Sequence, residues 1–417
     1  MPPKLEKHRY LRFFVSADWS KEPRKRAVYV ADLREREIRR EERSDWRLKS
    51  LMTLAEELST EGSVLVGVDV VLGVPTSYWK LVLADSRYGQ PTNFLDWLGR
   101  LGGNQQFFNP ANTARKHEQW RVDRPWFHVP KGKGALTGFT KKADDGFLRL
   151  IDRSTGAKPL FAVSGIPGTV GSGTRDFWRE LAPNLRTNRK FVVWPFEGEL
   201  AELLSANRIV LAETYPGLAY AAAPAEELPT RRFVVAKTRQ QPRNDACNLL
   251  AAAKWVTTYG VKLGDLDSAR NDEDDFDALF TAAAVLRCAL EHTSLTTPDW
   301  MDHIAEGSML LAGPVDPARR SRTIPKPDKA PQDKAQLPLA AAPKEELRPP
   351  EPRQSTPGEK VTYRCPIPGC SKVFSDSRGG WDAHVASRRR HPDWFPDIKN
   401  PQLRKELFRR DFGYWFR

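Results

Sequence analysis

The chain has 417 residues, of which 40% are hydrophobic, and a formal net charge of +13. At roughly 100 to 200 residues per domain, this length allows two or three folded units with linkers and excludes a single small domain. The hydrophobic content excludes a wholly disordered chain, and no run approaches the roughly 18 uninterrupted apolar residues of a membrane span. Because the charged N-terminal stretch lacks the apolar core of a secretory signal, we expect a soluble, cytoplasmic protein with no membrane partner.

The first predicted elements are two strands, a helix and a third strand. Tyr10 to Ala17 and Ala27 to Leu33 are apolar runs rich in strand-forming residues, and the turn-like K-E-P-R-K between them predicts a hairpin. Arg47 to Leu58 has apolar residues at helical spacing. The continuous apolar run from Ser63 to Val70 is typical of a strand buried on both faces, so a helix precedes a central strand.

The later elements complete a mixed α/β pattern. Two further strands and two long helices are predicted at Phe191 to Trp194, Arg208 to Ala212, Asp245 to Thr258 and Asp275 to Glu291. Cys247 and Cys288 lie in these helical patterns, where a free cysteine is usually a small buried hydrophobe. A large insertion at about 76–190 follows the central strand. We therefore expect one mixed α/β domain over residues 1–313, which we call the body.

Acidic residues stand where three of these strands end. Asp18 ends the first strand, Asp69 ends the buried strand, and Glu213 ends the run I-V-L-A-E. In an open α/β sheet, ligands bind outside the carboxyl ends of the strands, so these acids converge on one crevice if their strands are neighbours. Asp274 and Asp277 are three residues apart at the start of the last long helix, and therefore lie on one helix face.

Such a set of acids predicts metal-dependent chemistry. Clustered carboxylates repel one another, and a fold keeps them together mainly when cations neutralise them. Hard oxygen ligands favour Mg²⁺ or Mn²⁺, and two such ions about 4 Å apart can promote hydrolysis of a phosphodiester. Each acid alone is better explained as a turn residue or a helix cap. The ordered set instead predicts a nuclease whose catalytic candidates are Asp18, Asp69, Glu213, Asp274 and Asp277.

The same segments resemble a known family. Five short motifs occur in order: S-A-D-W at Asp18, G-V-D-V-V-L-G-V-P at Asp69, W-P-F-E at Trp194, A-E-T-Y-P at Glu213 and D-D-F-D-A-L at Asp274. They resemble domain-of-unknown-function family 429, described as predicted RNase H-like nucleases, and the resemblance extends to Leu311. It implies an RNase H-like mixed sheet flanked by helices, with a large insertion.

The resemblance also implies a ligand set. Asp18 would bridge two metal ions, and Asp69, Glu213 and Asp277 would complete the Mg²⁺ or Mn²⁺ site. The sequence leaves open whether Asp274 or its neighbour Asp275 points into that site.

Two further segments carry candidate substrate-binding residues. The glycine-rich residues 165–174 lack the lysine of a nucleotide-binding P-loop. The resemblance places a V-G segment there, before a helix whose start can bind phosphate. A tight structural loop explains the glycines slightly better. Basic residues after the Glu213 strand can neutralise a phosphate or be ordinary surface charges. The candidates are Gly171, Ser172, Thr174, Lys237 and Arg243.

The C-terminal part has a different composition. Residues 314–360 contain 11 prolines and predict an extended, disordered linker. Residues 361–417 are too few to bury a core unaided, but the spacing Cys365-x4-Cys370-x13-His384-x6-His391 closely resembles that of a two-Cys, two-His zinc finger. We therefore predict a small ββα finger that binds Zn²⁺, followed by a basic, aromatic tail.

Charge and helix positions suggest what the finger does. The linker and the finger segment carry +3 and +6, which leaves +4 for the body, so the basic end can seek a polyanion. Counting back from His384 places Ser377, Gly380 and Ala383 at the base-reading positions, where none can make a bidentate base contact. The finger is thus predicted to capture nucleic acid without sequence preference, or to dock a protein partner.

Three functional classes follow from these observations. The first is a metal-dependent nuclease acting on DNA or RNA. The second is a non-catalytic nucleic-acid-binding or adaptor protein that retains the RNase H-like fold. The third, an actin-like ATPase, is disfavoured because W-S-K follows Asp18 where such enzymes have a glycine-threonine phosphate loop.

Overall fold

The structure is a computed structural model. It describes residues 10–109, 122–128, 148–164, 170–187, 189–232, 234–298 and 301–320 and, further on, residues 362–364, 373–375 and 384. The chain divides into two units, residues 1–327 and 328–417. The first unit contains a seven-stranded mixed sheet flanked by helices, which confirms the predicted α/β class.

The described strands are β1 Leu11–Asp18, β2 Ala27–Asp32, β3 Glu37–Arg40, β4 Ser63–Val68, β5 Phe127–His128, β6 Ala162–Ser164, β7 Phe191–Val193, β8 Ile209–Glu213, β9 Thr230–Arg232, β10 Lys262–Leu263, β11 Val315–Arg320, β12 Thr362–Arg364 and β13 Val373–Ser375. The large sheet has the order β10-β3-β2-β1-β4-β8-β7. β1, β2 and β3 pair antiparallel, whereas β1, β4, β8 and β7 are parallel neighbours. The predicted hairpin is thereby confirmed.

The described α-helices are α1 Leu48–Ser59, α2 Thr76–Ala84, α3 Phe94–Leu101, α4 Gln105–Phe108, α5 Leu150–Thr155, α6 Gly171–Asn184, α7 Leu200–Ser205, α8 Pro216–Ala222, α9 Gln240–Ala251, α10 Lys254–Tyr259, α11 Leu266–Asn271 and α12 Glu273–Leu290. Short 3₁₀ helices occupy Pro23–Lys25 and Ser86–Tyr88. Among the described residues, no helix is long and apolar enough to cross a membrane.

The central strands are buried on both faces. Along β1, Phe13 and Val15 belong to the core shared with α1 and α6, whereas Phe14 belongs to the core shared with α8 and α12. This alternation is the period of two that a strand imposes on its side chains. All six residues of β4 are buried, as its continuous apolar sequence predicts.

Helix α12 packs directly on β1 and β2. Asp272 caps its start, where the side chain accepts hydrogen bonds from the backbone N–H groups of Asp274 and Asp275 at 2.8 and 3.2 Å. Small residues follow in the run T-A-A-A, and the helix is buried from Asp275 to Ala289. The cap and the close packing together bring the first turn of α12 to the end of β1.

One predicted helix is wrong in its extent. Asp245 to Thr258 was expected to be continuous, but the chain forms α9 and α10 with a break at Ala253, whose ψ is 133°. The break lets the Trp255 indole N–H donate to the Ala223 carbonyl at 2.7 Å. Cys247 and Cys288 are both buried, as predicted.

The C-terminal segments are described only in part. Val315–Arg320, at the start of the predicted linker, pairs with β9 as β11. In the second unit, β12 and β13 form an antiparallel pair, and His384 is buried. Cys365, Cys370 and His391, with most of the predicted linker, lie outside the described residues.

A glycine near the start of α6 is required by close packing. A Cβ added at Gly173 would lie 2.1 Å from the carbonyl oxygen of Trp19, just after β1. We expect Gly173→Ala to lower the free energy of unfolding by about 1–3 kcal/mol, because the helix must move away from the strand end. Urea denaturation measures this loss.

Gly103→Ala is the matched control. A Cβ at Gly103 meets no described atom within 4 Å, so we expect a change of less than about 0.5 kcal/mol. Equal stability of the two variants would contradict the packing argument.

Candidate metal centre

The three strand-end acids lie at one edge of the sheet. Val68 in β4 pairs with Ala17 on one side and with Glu213 on the other. Asp69 follows β4, and its backbone N–H donates to the Ala17 carbonyl at 2.9 Å. Because β1, β4 and β8 are parallel neighbours, Asp18, Asp69 and Glu213 emerge side by side, as the prediction of a shared crevice required.

Three carboxylates converge closely at this edge. Asp18, Asp69 and Asp277 each offer one oxygen, and the three atoms lie within 4.8 Å of one another. Asp18 and Asp277 are buried, while Asp69 is partly exposed. Asp277 comes from α12, whose packing on β1 carries it to the strand ends. These oxygens are ligands that Mg²⁺ and Mn²⁺ accept.

The structure distinguishes the two neighbouring acids of α12. Asp274 borders the same cavity as Asp18. Asp275 points elsewhere and accepts hydrogen bonds from the Arg40 guanidinium at 2.7 and 3.2 Å. The alternative that the sequence left open is therefore decided in favour of Asp274, because adjacent helical residues project in different directions.

Burial and mutual repulsion make the ionised cluster unfavourable. Burial raises the pKa of Asp18 well above its usual range, and the neighbouring Asp277 and Asp69 charges add to this. Burial and the Asp277 charge raise the pKa of Asp69 to about 7, although the Lys237 charge opposes them. Burial and the Asp272 charge raise the pKa of Asp274 to about 6. The cluster therefore favours protons or cations.

Two protein groups hold Asp277. The Tyr220 hydroxyl donates to Oδ1, and the Lys237 ammonium pairs with Oδ2. Burial lowers the pKa of Lys237, but the Asp277 and Asp18 charges outweigh it and keep the ammonium protonated. Lys237 thus lies in the predicted site, next to a carboxylate.

Glu213 belongs to a separate ion-pair network beside the cluster. Arg149, fully buried, donates to Glu213 Oε2 at 2.7 Å and to Asp152 Oδ1 at 2.8 Å. The Leu72 backbone N–H donates to the same Glu213 oxygen at 2.7 Å. Burial raises the pKa of Glu213 to about 7 against the attraction of Arg149. The predicted ligand Glu213 therefore borders the cavity while bound to a protein cation.

Neither Arg149 nor Tyr220 was identified from the sequence. Arg149 lies in the insertion, 64 residues before its partner Glu213, and nothing in its local sequence marks it. Tyr220 is 57 residues from Asp277, and its only local signal is a polar aromatic residue within the alanine-rich α8. Both become functional candidates only through contacts between distant segments.

The other substrate-binding candidates have mainly structural contacts. The hydroxyl of Thr174 accepts the Val71 backbone N–H at 3.0 Å, and Ser172 donates to the Val163 carbonyl. A Cβ on Gly171 would lie 2.2 Å from the Ala162 carbonyl oxygen. Only Ser172 of these three borders the cavity. Residues 165–169 of the glycine-rich segment lie outside the described residues.

Arg243 is also occupied by the protein. Its guanidinium donates to the backbone carbonyls of Lys237, Arg270 and Asn271, the last two at 3.0 Å. It is buried, so it positions the segment that carries Lys237.

The carboxylates and several basic and polar side chains line one cavity of about 580 Å³. Its polar lining includes Asp18, Lys21, Asp69, Lys158, Ser172, Glu213, Tyr220, Lys237, Asp274 and Asp277.

No protein-family model matches the chain, and no curated protein or solved structure matches it either.

The raised pKa values predict a pH-dependent cost of the cluster when divalent cations are absent. In the presence of a chelator, the folded state loses stability as pH rises from about 4 through about 7. The reason is that the Asp69 carboxyl loses its proton less readily in the folded state than in the unfolded chain. Asp69→Asn removes one such group. At pH 8 we expect it to raise the free energy of unfolding by about 1–3 kcal/mol, and at pH 4 to change it little.

Chemical denaturation at both pH values measures the effect, and Asp45→Asn is the control. The Asp45 side chain is 52% exposed, so its removal should leave the pH dependence as in the wild type. A wild-type pH dependence in Asp69→Asn would contradict the electrostatic argument.

Proposed function

We propose that the body is a divalent-metal-dependent nuclease with an RNase H-like core. The observation that carries this proposal is the convergence of Asp18, Asp69 and Asp277 oxygens within 4.8 Å. Carboxylates kept together against burial and repulsion are typical of sites that hold cations. The mixed sheet, its flanking helices and the insertion agree with what the family resemblance implies.

The residues present fit such an ion. Asp18 and Asp69 would hold it, and Asp274 and Asp277 line the same cavity. When bound, a divalent cation supplies an activated water and stabilises the oxygen that leaves phosphorus. The Lys237 side chain is 31% exposed at the cavity and can bind a phosphate oxygen, which would hold the scissile group next to the carboxylates.

The surface around the cavity favours a polyanionic substrate. Lys21 and Lys158 are exposed at its rim. Lys21 also borders a neighbouring concave surface on which the basic residues outnumber the acidic ones. The basic residues are Lys21, Arg26, Arg47, Arg175 and Arg179, and the acidic ones are Asp176 and Glu180. A nucleic-acid backbone passing the carboxylates could follow this basic surface.

A non-catalytic adaptor is the second candidate. Two protein cations, Lys237 and Arg149, already pair with Asp277 and Glu213. The site can thus be partly neutralised without a metal ion. Against this, an adaptor gains nothing from the repulsion among Asp18, Asp69 and Asp274 that its fold would have to withstand.

Asp18→Asn tests the nuclease. We expect it to lower cleavage by about 100-fold or more, because it removes a negative charge from the ion site while preserving side-chain size. The measurement uses single- and double-stranded DNA and RNA, with Mg²⁺ or Mn²⁺, and thermal unfolding checks the fold.

Glu202→Gln serves as the control and should retain wild-type cleavage, because Glu202 is exposed in α7 and lines neither concave surface. Equal cleavage by the wild type and Asp18→Asn would refute the nuclease assignment. Nucleic-acid binding without cleavage under all these conditions would favour the adaptor.

We further propose that the C-terminal segment is a zinc finger that captures nucleic acid or a protein partner. The antiparallel pairing of β12 with β13 and the burial of His384 support it, together with the spacing of Cys365, Cys370 and His391. The basic charge of this segment favours nucleic acid over protein.

Metal analysis of the full chain tests the finger. We expect one Zn²⁺ per wild-type chain and none in Cys365→Ser, because a structural site needs all four ligands. Cys247→Ser is the control, since Cys247 is buried in α9 and is not one of the four predicted ligands. Wild-type protein without zinc, purified without chelators, would end this interpretation.

A further inference from the structure

We propose that Lys237 is a fixed internal cation that takes the place of a second divalent ion, so that the centre binds one divalent cation between Asp18 and Asp69. This proposal deepens the proposed function. It rests on that function only because it requires a divalent cation to bind at the cluster. The proposal departs from the two-ion arrangement that the family resemblance implies.

Both oxygens of Asp277 are already bound by protein donors. Oδ1 accepts the Tyr220 hydroxyl, and Oδ2 pairs with the Lys237 ammonium. The Asp277 carboxylate is 1% exposed, whereas the Lys237 side chain is 31% exposed at the cavity. Removal of the Lys237 charge would leave the Asp277 charge buried without a cation, which is unfavourable.

Lys237 is held in place by its backbone as well as by its side chain. Arg243 donates to the Lys237 carbonyl and, at 3.0 Å each, to the carbonyls of Arg270 and Asn271. Asn271 stands immediately before the Asp272 cap of α12. The segment with the ammonium is therefore tied to the helix start that carries Asp277.

The acid on the other side of the cluster has its own cation. Arg149 donates to both oxygens of Glu213, and the Leu72 N–H adds a third hydrogen bond. Among the described acids that line the cavity, Asp18, Asp69, Glu273 and Asp274 form no ion pair with Lys or Arg. Asp18 and Asp69 place oxygens within 4.8 Å of each other, which suits one divalent ion between them.

A second divalent ion would meet repulsion from Lys237. Such an ion would lie about 4 Å from the first, and the Asp277 side of the cluster is where the ammonium already stands. Two positive centres would still face the substrate, one the bound ion and the other Lys237. A phosphate could contact both, and so needs no second metal ion.

Manganese titration of the full, zinc-loaded chain tests the proposal. Calorimetry counts the ions, and electron paramagnetic resonance distinguishes an isolated Mn²⁺ from two coupled ions. Ions retained by Asp18→Asn are counted as bound elsewhere. We expect one cluster ion in the wild type, one in Lys237→Arg, and two coupled ions in Lys237→Met.

Lys237→Gln removes the charge with a polar side chain and replaces the methionine variant if that variant fails to fold. Lys254→Met is the control, since Lys254 is exposed at the start of α10, and should bind one ion. Two coupled ions in the wild type would overturn the proposal, whatever the folding of the variants. One ion in both uncharged variants would also overturn it.

The single-ion centre and the nuclease activity can be refuted separately. Two coupled ions in a wild-type protein that cleaves nucleic acid would remove the role of Lys237 and leave the nuclease standing. If no bound ion depends on Asp18, both the single-ion centre and the metal-dependent nuclease are refuted.

Discussion

The elements around the candidate metal centre depend on one constraint, which is the repulsion among carboxylates at the carboxyl ends of the buried central strands. Asp18, Asp69 and Asp277 place oxygens within 4.8 Å of one another. In this environment each charge loses much of its hydration, so burial raises the pKa values of these acids. A fold that keeps such a group must either supply cations or leave the acids protonated. The neighbouring elements show how this chain supplies them.

Two protein cations come from parts of the chain outside the central strands. Lys237 follows β9 and pairs with Asp277, while Arg149 precedes α5 in the insertion and binds Glu213. Each cation is itself positioned by the backbone. Arg243 holds the Lys237 segment, and Arg149 also donates to the Glu306 carbonyl at 2.9 Å. The insertion is thus part of the site, because its arginine neutralises a strand-end acid.

The division of the acids has a chemical consequence. Those with a protein partner are neutralised permanently, whereas Asp18, Asp69 and Asp274 face the cavity and would be neutralised by an ion that can exchange. Such an arrangement places paired and unpaired acids in one pocket. Without a divalent ion, the unpaired acids lower the stability of the folded state by an amount that depends on pH.

Short-range patterns in the sequence were sufficient for the main elements and for the acids that end them. A strand imposes a period of two and a buried strand a continuous apolar run, so the positions of Asp18, Asp69 and Glu213 could be inferred from neighbouring residues. Helical spacing likewise placed Asp277. These are local properties, because they depend on residues only a few positions apart.

Only the tertiary structure decided which acids share a site and which are already paired. Arg40, 235 residues away in sequence, donates hydrogen bonds to Asp275, whereas Asp274 faces the cavity. Arg149 and Lys237 reach their acids across 64 and 40 residues. The break at Ala253 accompanies a hydrogen bond from Trp255 to the distant Ala223. Local periodicity carries no information on such pairings, because the energy that selects them comes from desolvated charges and packing between segments brought together by the fold.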